Sequence, residues 1–333
     1  MDIEWAILLV DLQSDDHILF FDEPNEHKRL WESVRWDTKK IRSQGFQWEI
    51  LPRDRLQKYL AGLNAEFLLP DHAVSSTENH YTWIRSLLAG QMISSAQRHL
   101  TEKRLFKSPE DIAKIKKSIE ITEKTYRYIL KNIHPWMYEY EIEAMVAYQF
   151  KLHQGVEAFP TIVASGENAC TLHYTAHDRH IEEWDLILLD FGIEIDGYGA
   201  DISRTFPVSG IFGTRSQDLY DVVLEAKKFA EKTLRPGITR KIWNIWVKEY
   251  MYHQCEKLGL FEIEKYTPLT NPYFPHSIGH FLGLDTHDIG DSDIALAAGM
   301  VLTIEPGLYL PDEGIGIRIE DDYLVTESGC EQL

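Results

Sequence analysis

WDLILLDFGIEIDGYGADISRTFPV, residues 184–208, is the stretch on which the reading of the chain turns. Two apolar, β-type runs flank Asp196-Gly197, the dipeptide best suited to a two-residue type I′ hairpin turn. Closing the hairpin there sets Asp190 opposite Ser203 and Asp201 opposite Gly192. Side chains alternate along a strand, so Asp190 and Asp201 share one face as diagonal neighbours, roughly 7–8 Å apart. The small partners Gly192 and Ser203 are expected to leave room beside them. Two acids on one face of strands this rich in Leu and Ile are costly unless something offsets their charge.

A second hairpin repeats the arrangement. GMVLTIEPGLYL (299–310) and IGIRIEDDYLVT (315–326) read as strands joined by Pro311-Asp312-Glu313-Gly314. That four-residue loop places Glu305 opposite Glu320, and like charges facing each other destabilise a sheet. Arg318 shares a face with Glu320, which leaves a structural salt bridge as a rival explanation in this hairpin. In the first hairpin the nearest cation, Arg204, falls on the opposite face, so that explanation is weaker there. Four carboxylates on two hairpins call for cations.

Histidines add to the pattern. PHSIGHFLGLDTHDIG (275–290) carries His276, His280 and His287, and His173 lies in ASGENACTLHYT (164–175). The four-residue spacing of His276 and His280 suits a zincin helix, but Pro275, Gly279 and Gly283 break helices and Ser277 stands where the required glutamate would follow. Only one or two of these imidazoles are expected to touch metal. A set of four carboxylates, one or two imidazoles and no thiolate is a hard site. It favours Mn²⁺, with Co²⁺, Fe²⁺ and Zn²⁺ as alternatives. Two divalent cations balance the four negative charges, whereas one leaves acids with raised pKa values.

Outward from these hairpins, Ser108-Pro109-Glu110 is a helix start, with Ser108 as N-cap and Pro109 in the first turn. Further helices are expected at 139–154, 215–233 and 239–258. Before that point, strands at 5–10 and 17–21 and a helix at 28–43 lead into mixed α/β sequence, and the domain boundary is placed just ahead of Ser108. With 333 residues, 44% of them hydrophobic and 26% charged, the chain has the composition of a folded protein of about two domains. A formal net charge of −19 argues against nucleic acid as a partner. Cys170, Cys255 and Cys330 form no CxxC pair, so no disulfide is expected. With no basic leader and no run of 18 apolar residues, neither secretion nor membrane association is expected, and the location read from the sequence is cytoplasmic.

The segments DFG, ADISRTFP, HSIGHFLGLDTHD, TIEPGLY and GIGIRIEDD, in this order, resemble the signature of the pita-bread metallopeptidases. That family comprises methionine aminopeptidase, prolidase, aminopeptidase P and the metal-free creatinases. KRLFKSPED (103–111), TIVASGENACTLHYT (161–175) and GLDTHD resemble bacterial and mitochondrial aminopeptidase P more than prolidase. The resemblance implies an α+β chain, with a partial aminopeptidase P-type α/β domain at 1–103 and a pita-bread catalytic domain at 104–333. It implies two metal ions, one held by Asp190, Asp201 and Glu320 and the other by Asp201, His280, Glu305 and Glu320. A hydroxide shared by the ions attacks the scissile carbonyl while Glu305 manages its proton, and His287 and His173 orient substrate and stabilise the oxyanion. His276, Arg318 and Phe159 match positions lining a proline pocket. The substrates implied are peptides with proline in second position. The alternatives kept are prolidase and a non-catalytic binding protein of the same fold. Members of this type carry an N-terminal domain of well over 150 residues, which reaches a neighbouring subunit. With only 103 residues here, an edge strand near 5–10 is expected to drive homo-oligomer formation.

Overall fold

The computed structural model describes residues 6–31, 36–63, 65–69, 78–260 and 266–333. The chain divides into two units, Met1–Leu100 and Thr101–Leu333. In the first, β1 (Ile7–Val10) pairs antiparallel with β2 (His17–Phe20). The Asp11 carboxylate stabilises the turn between them by accepting from the Gln13 N–H at 2.8 Å. After α1 (Glu26–Trp31) and α2 (Thr38–Ser43) comes β3 (Glu49–Leu51), which runs parallel to β2. Next are α3 (Leu56–Ala61) and a β-α-β unit: β4 (Glu66–Leu69), α4 (Glu78–Leu87) and β5 (Met92–Ser95), with β4 and β5 parallel. Phe20, Leu56, Phe67 and Leu88 fill the core of this unit.

The single helix expected at 28–43 is instead two short ones. The second starts afresh because Asp37, in extended backbone, caps it by accepting from the Lys40 N–H at 2.8 Å. Residue 5 of the first expected strand and residues 32–35 of this helix lie outside the described residues. Helix α5 (Gln97–Leu105) contains the division between the units.

The second unit opens with α6 (Pro109–Asn132). Its first turn is closed reciprocally: the Asp111 N–H donates to Ser108 Oγ at 3.2 Å and the Ser108 N–H to Asp111 Oδ2 at 2.8 Å. Such a box is worth about 1 kcal/mol. Then follow α7 (Glu139–Leu152), β6 (Val156–Glu157), β7 (Ile162–Ser165), β8 (Leu186–Phe191), β9 (Ile193–Ile195), β10 (Tyr198–Gly199) and β11 (Ile202–Pro207). Helices α8 (Thr214–Thr233) and α9 (Arg240–Lys257) lead to β12 (Val301–Ile304), β13 (Gly307–Leu310), β14 (Ile315–Arg318), β15 (Asp321–Val325) and β16 (Cys330–Gln332). Fully buried Trp243 of α9 packs with Leu219, Leu302 and Ile317 in the main core. Ile142, Val146, Leu189 and Phe191 join α7 to β8 in a second core.

Both hairpins have the register read from the sequence. Asp190 faces Ser203 and Tyr198 faces Ile195, with Asp196 and Gly197 at φ 56° and 82° as a type I′ turn requires. In the second hairpin Ile304 faces Asp321 and Gly307 faces Arg318. Each hairpin breaks into two ladders. The breaks fall at Gly192 against Ala200-Asp201, and at Glu305-Pro306 against Ile319-Glu320. Pro306 has no N–H to donate, which explains the second break. At the first, Gly192 leaves no free room, contrary to expectation. A Cβ there would lie 1.7 Å from the Ala200 carbonyl oxygen, so glycine is needed to let that backbone in.

Candidate metal centre

The interruptions put Asp201, Glu305 and Glu320 where backbone pairing has stopped, with Asp190 still in the ladder beside the first of them. Asp190 stands one residue from the end of β8, and Asp201 just before β11. The two hairpins are tied together here: the Glu320 N–H donates to the Ser203 carbonyl at 3.1 Å, and the Ser203 hydroxyl donates to Glu320 Oε2 at 2.7 Å. The Asp201 N–H donates to Asp322 Oδ2 at 3.1 Å.

His280 comes from an irregular segment, as the glycines and proline around it predict. Its backbone is pinned to β12 in both directions, with its N–H on Thr303 Oγ1 at 3.2 Å and its carbonyl accepting from the Thr303 N–H at 2.9 Å. Gly279 permits this approach, since a Cβ there would sit 2.1 Å from the Thr303 carbonyl oxygen. His280 Nδ1 lies 3.1 Å from the Phe281 carbonyl and so carries the proton. That leaves the Nε2 lone pair facing Asp201 Oδ2 at 3.2 Å and Glu305 Oε1 at 3.8 Å. Ligand atoms of Asp201, His280 and Glu320 all lie within 4.8 Å of one another.

The electrostatics of the cluster are those of a cation site. Burial, then the neighbouring Asp190, raises the Asp201 carboxyl well above its usual range. Burial, then Asp201, does the same to Glu320. Burial carries Glu305 up to about 7 and Asp322 to about 8. Asp190 Oδ1, Glu320 Oε1 and Asp322 Oδ1 are buried with no hydrogen-bond partner. Orphaned carboxylate oxygens are costly and fit hard divalent cations.

Arg318 is enclosed, 4% exposed, and does not pair with Glu320 on its own face. It crosses to the other hairpin, with Nη2 2.6 Å from Asp190 Oδ2, Nε donating to Ser203 Oγ at 2.9 Å and Nη1 to the Tyr309 hydroxyl at 2.7 Å. Tyr309 in turn lies 2.8 Å from His276 Nε2, and His276 Nδ1 is 2.7 Å from the Ser277 carbonyl. Nδ1 therefore carries the proton and Nε2 accepts from Tyr309. Burial lowers His276 to about 3, and burial, then His280, lowers His287 to about 4. Both are neutral at pH 7. The His287 ring lies 4.1 Å from that of His280.

The structure thus brings Asp190, Asp201, His280, Glu305, Glu320, His276, His287 and Arg318 into one cluster. His173 is exposed, on the loop after β7, close enough to disfavour protonation of His276 and His287. Phe159 lines a cavity of about 290 Å³ with Glu143, Glu157, Pro160, Thr161, Thr175 and His177, a lining that includes neither His276 nor Arg318. Tyr309 and Asp322 were not singled out from sequence, and Ser203 only as a small partner of Asp190, not as the hydroxyl that joins Glu320 to Arg318. Tyr309 lies in the TIEPGLY segment and Asp322 directly follows GIGIRIED, so only their partners were hidden.

A buried carboxylate–imidazole cluster across two hairpins defines a metallopeptidase of pita-bread, α+β architecture. Residues 113–327 match metallopeptidase family M24, and the chain belongs to that family. It is 41% identical over 249 residues to Xaa-Pro aminopeptidase of Escherichia coli K12, a match covering 70% of this chain and 56% of the relative. It is 38% identical over 240 residues to Xaa-Pro dipeptidase of Pyrococcus furiosus, covering 69% and 63%. The chain therefore spans less than two thirds of the length of these relatives. The structure of zinc-substituted E. coli aminopeptidase P in complex with product aligns with a TM-score of 0.87 at 31% identity, covering 98% of this chain and 82% of that one. Divalent metal ions are the cofactors that this family and this donor set share. Among the described residues, no helix is long and apolar enough to cross a membrane.

Proposed function

We propose that this chain is a metal-dependent aminopeptidase that hydrolyses the bond between an N-terminal residue and a following proline. The observation that carries the reading is the convergence of Asp201, His280 and Glu320 beside Asp190 and Glu305, with two ligand-class oxygens orphaned in a buried place. These five residues would hold two divalent ions, Mn²⁺ for preference. When bound, the ions polarise the scissile carbonyl and lower the pKa of a water.

The chain's own groups do the rest. Glu305, whose Oε1 stands 3.8 Å from His280 Nε2 among the candidate ligands, is placed to take a proton at a carboxylate oxygen and release it to the leaving nitrogen. His287, neutral at pH 7, is suited to donate to oxygen that gains charge without adding a cation that would repel the metals, and His173 is a second candidate donor. Arg318, Tyr309 and His276 form an ordered hydrogen-bonded wall suited to the proline ring and its flanking amide.

Prolidase is the second reading, and the similarity to an Xaa-Pro dipeptidase favours it. A prolidase must clamp the dipeptide's free carboxylate. Arg318 is the cation nearest the proline pocket that could do so, but each of its three nitrogens already bonds within the protein, to Ser203, Tyr309 and Asp190, which weighs against that role. The test is a matched Mn²⁺ assay on Xaa-Pro-Pro tripeptides, Xaa-Pro dipeptides and N-acetylated peptides. Tripeptide turnover exceeding dipeptide turnover, with none after acetylation, is expected. Faster Gly-Pro cleavage than any tripeptide would move the assignment to prolidase. No turnover of either, with metals bound, would favour a binding protein. A cytoplasmic location and a homo-oligomer complete the reading.

A further inference from the structure

Glu139 is a fully buried carboxylate that the chemistry above does not use. It is the first residue of α7, and among the described residues no cation forms a salt bridge with it. Instead it accepts hydrogen bonds from the Ser165 N–H at 2.6 Å, the Ser165 hydroxyl at 2.7 Å, Asn168 Nδ2 at 3.2 Å, the Tyr174 hydroxyl at 2.8 Å and the Arg179 N–H at 3.1 Å. These donors bracket one loop, residues 166–178. His173 sits within that loop, next to Tyr174.

The rest of the first turn of α7 grips the same loop. The Tyr140 N–H donates to the His177 carbonyl at 3.0 Å, and Glu143 Oε2 lies 3.1 Å from His177 Nδ1. His177 is buried with φ at +50°, a backbone conformation a non-glycine residue holds only when its surroundings impose it. A carboxylate meeting five donors at once fixes their relative positions far more tightly than single bonds do.

We propose that Glu139 is a positioning residue: its buried carboxylate holds loop 166–178 and so sets where His173 stands relative to a bound peptide. The inference rests on the reading of His173 as a substrate-facing group. Glu139 touches no reacting atom and acts only through the loop.

The experiment crosses Glu139→Gln with His173→Ala in the Mn²⁺-loaded full chain for kinetics, and follows the His173 ring signal by NMR in histidine-labelled protein loaded with diamagnetic Zn²⁺. Glu139→Gln should lower kcat on an Xaa-Pro-Yaa tripeptide by on the order of ten- to a hundred-fold, since small misplacements cost that much. KM and bound metal should change little. In the His173→Ala background the same substitution should lower kcat no further. The His173 signal should shift or broaden while that of His280 does not. Equal losses in both backgrounds, or an unmoved His173 signal, overturn the proposal. If the Gln variant does not fold, Tyr174→Phe, which removes a single hydroxyl, is read the same way. If the unmodified chain turns over no Xaa-Pro peptide, the functional reading fails, and the NMR comparison alone decides the positioning role.

Discussion

Glu320 has one oxygen satisfied by the Ser203 hydroxyl and the other buried without a partner, within reach of Asp201 and His280. Glu320→Gln keeps its shape and removes one like charge. The metal-free variant is therefore expected to melt no lower than the unsubstituted chain, while the rise in Tm on adding Mn²⁺ disappears. Loss of a residue beside a ligand commonly costs 10–100-fold, so loss of this group should cost about a hundred-fold or more in activity. A Tm response to Mn²⁺ equal to that of the unsubstituted chain would contradict its role. The acids also set a pH dependence. Glu305 and Asp322 have folded pKa values of about 7 and 8, above their ordinary values. Their protonated forms are retained in the fold where the unfolded chain has already lost them. The stability they contribute is present below the ordinary carboxylate range and is lost as pH rises toward 8. Chelated protein should thus melt lower at pH 8 than at pH 5. Excess Mn²⁺ should reverse that order, because ions displace those protons. Parallel pH curves with and without metal would refute this. Asp190, Asp201, Glu305 and Glu320 were legible because strand alternation marks paired acids. Glu139 was not, because one acid at a helix start looks like any other until the loop folds over it.

Gly192 shows what the hairpins require as elements. Its hydrogen admits the Ala200 carbonyl at a distance where a methyl group cannot fit. Gly192→Ala should cost about 3 kcal/mol through overpacking, and Ser108→Ala only about 1 kcal/mol as a lost cap. Urea unfolding of both variants measures the difference. A Gly192→Ala chain as stable as Ser108→Ala would mean that the strand break relaxes freely. Both registers were readable because Asp196-Gly197 and the Pro311–Gly314 loop fix turn length, and turn length fixes pairing. The second break is marked in the sequence by Pro306, which has no N–H to donate; the first is not, since it rests on the close approach of the Ala200 carbonyl to Gly192. The helix expected at 28–43 failed for a local reason: Asp37 offers a cap that periodicity ignores.

At the scale of the whole molecule, β1 is an edge strand among the described residues, pairing there only with β2. Self-association through this strand is expected, and Leu8→Lys on it should shift light scattering toward monomer. A strict monomer at every concentration would count against it. The candidate ligands, finally, come from positions 190 to 320, and no more than two lie on any one hairpin. Before the hairpins dock, no pair of them holds an ion well. Metal bonds should therefore be absent from the folding transition state, leaving refolding speed indifferent to Mn²⁺ while unfolding slows. The ions would then act as a latch on a finished molecule, and metal supply would govern how long each copy lasts rather than how quickly it forms.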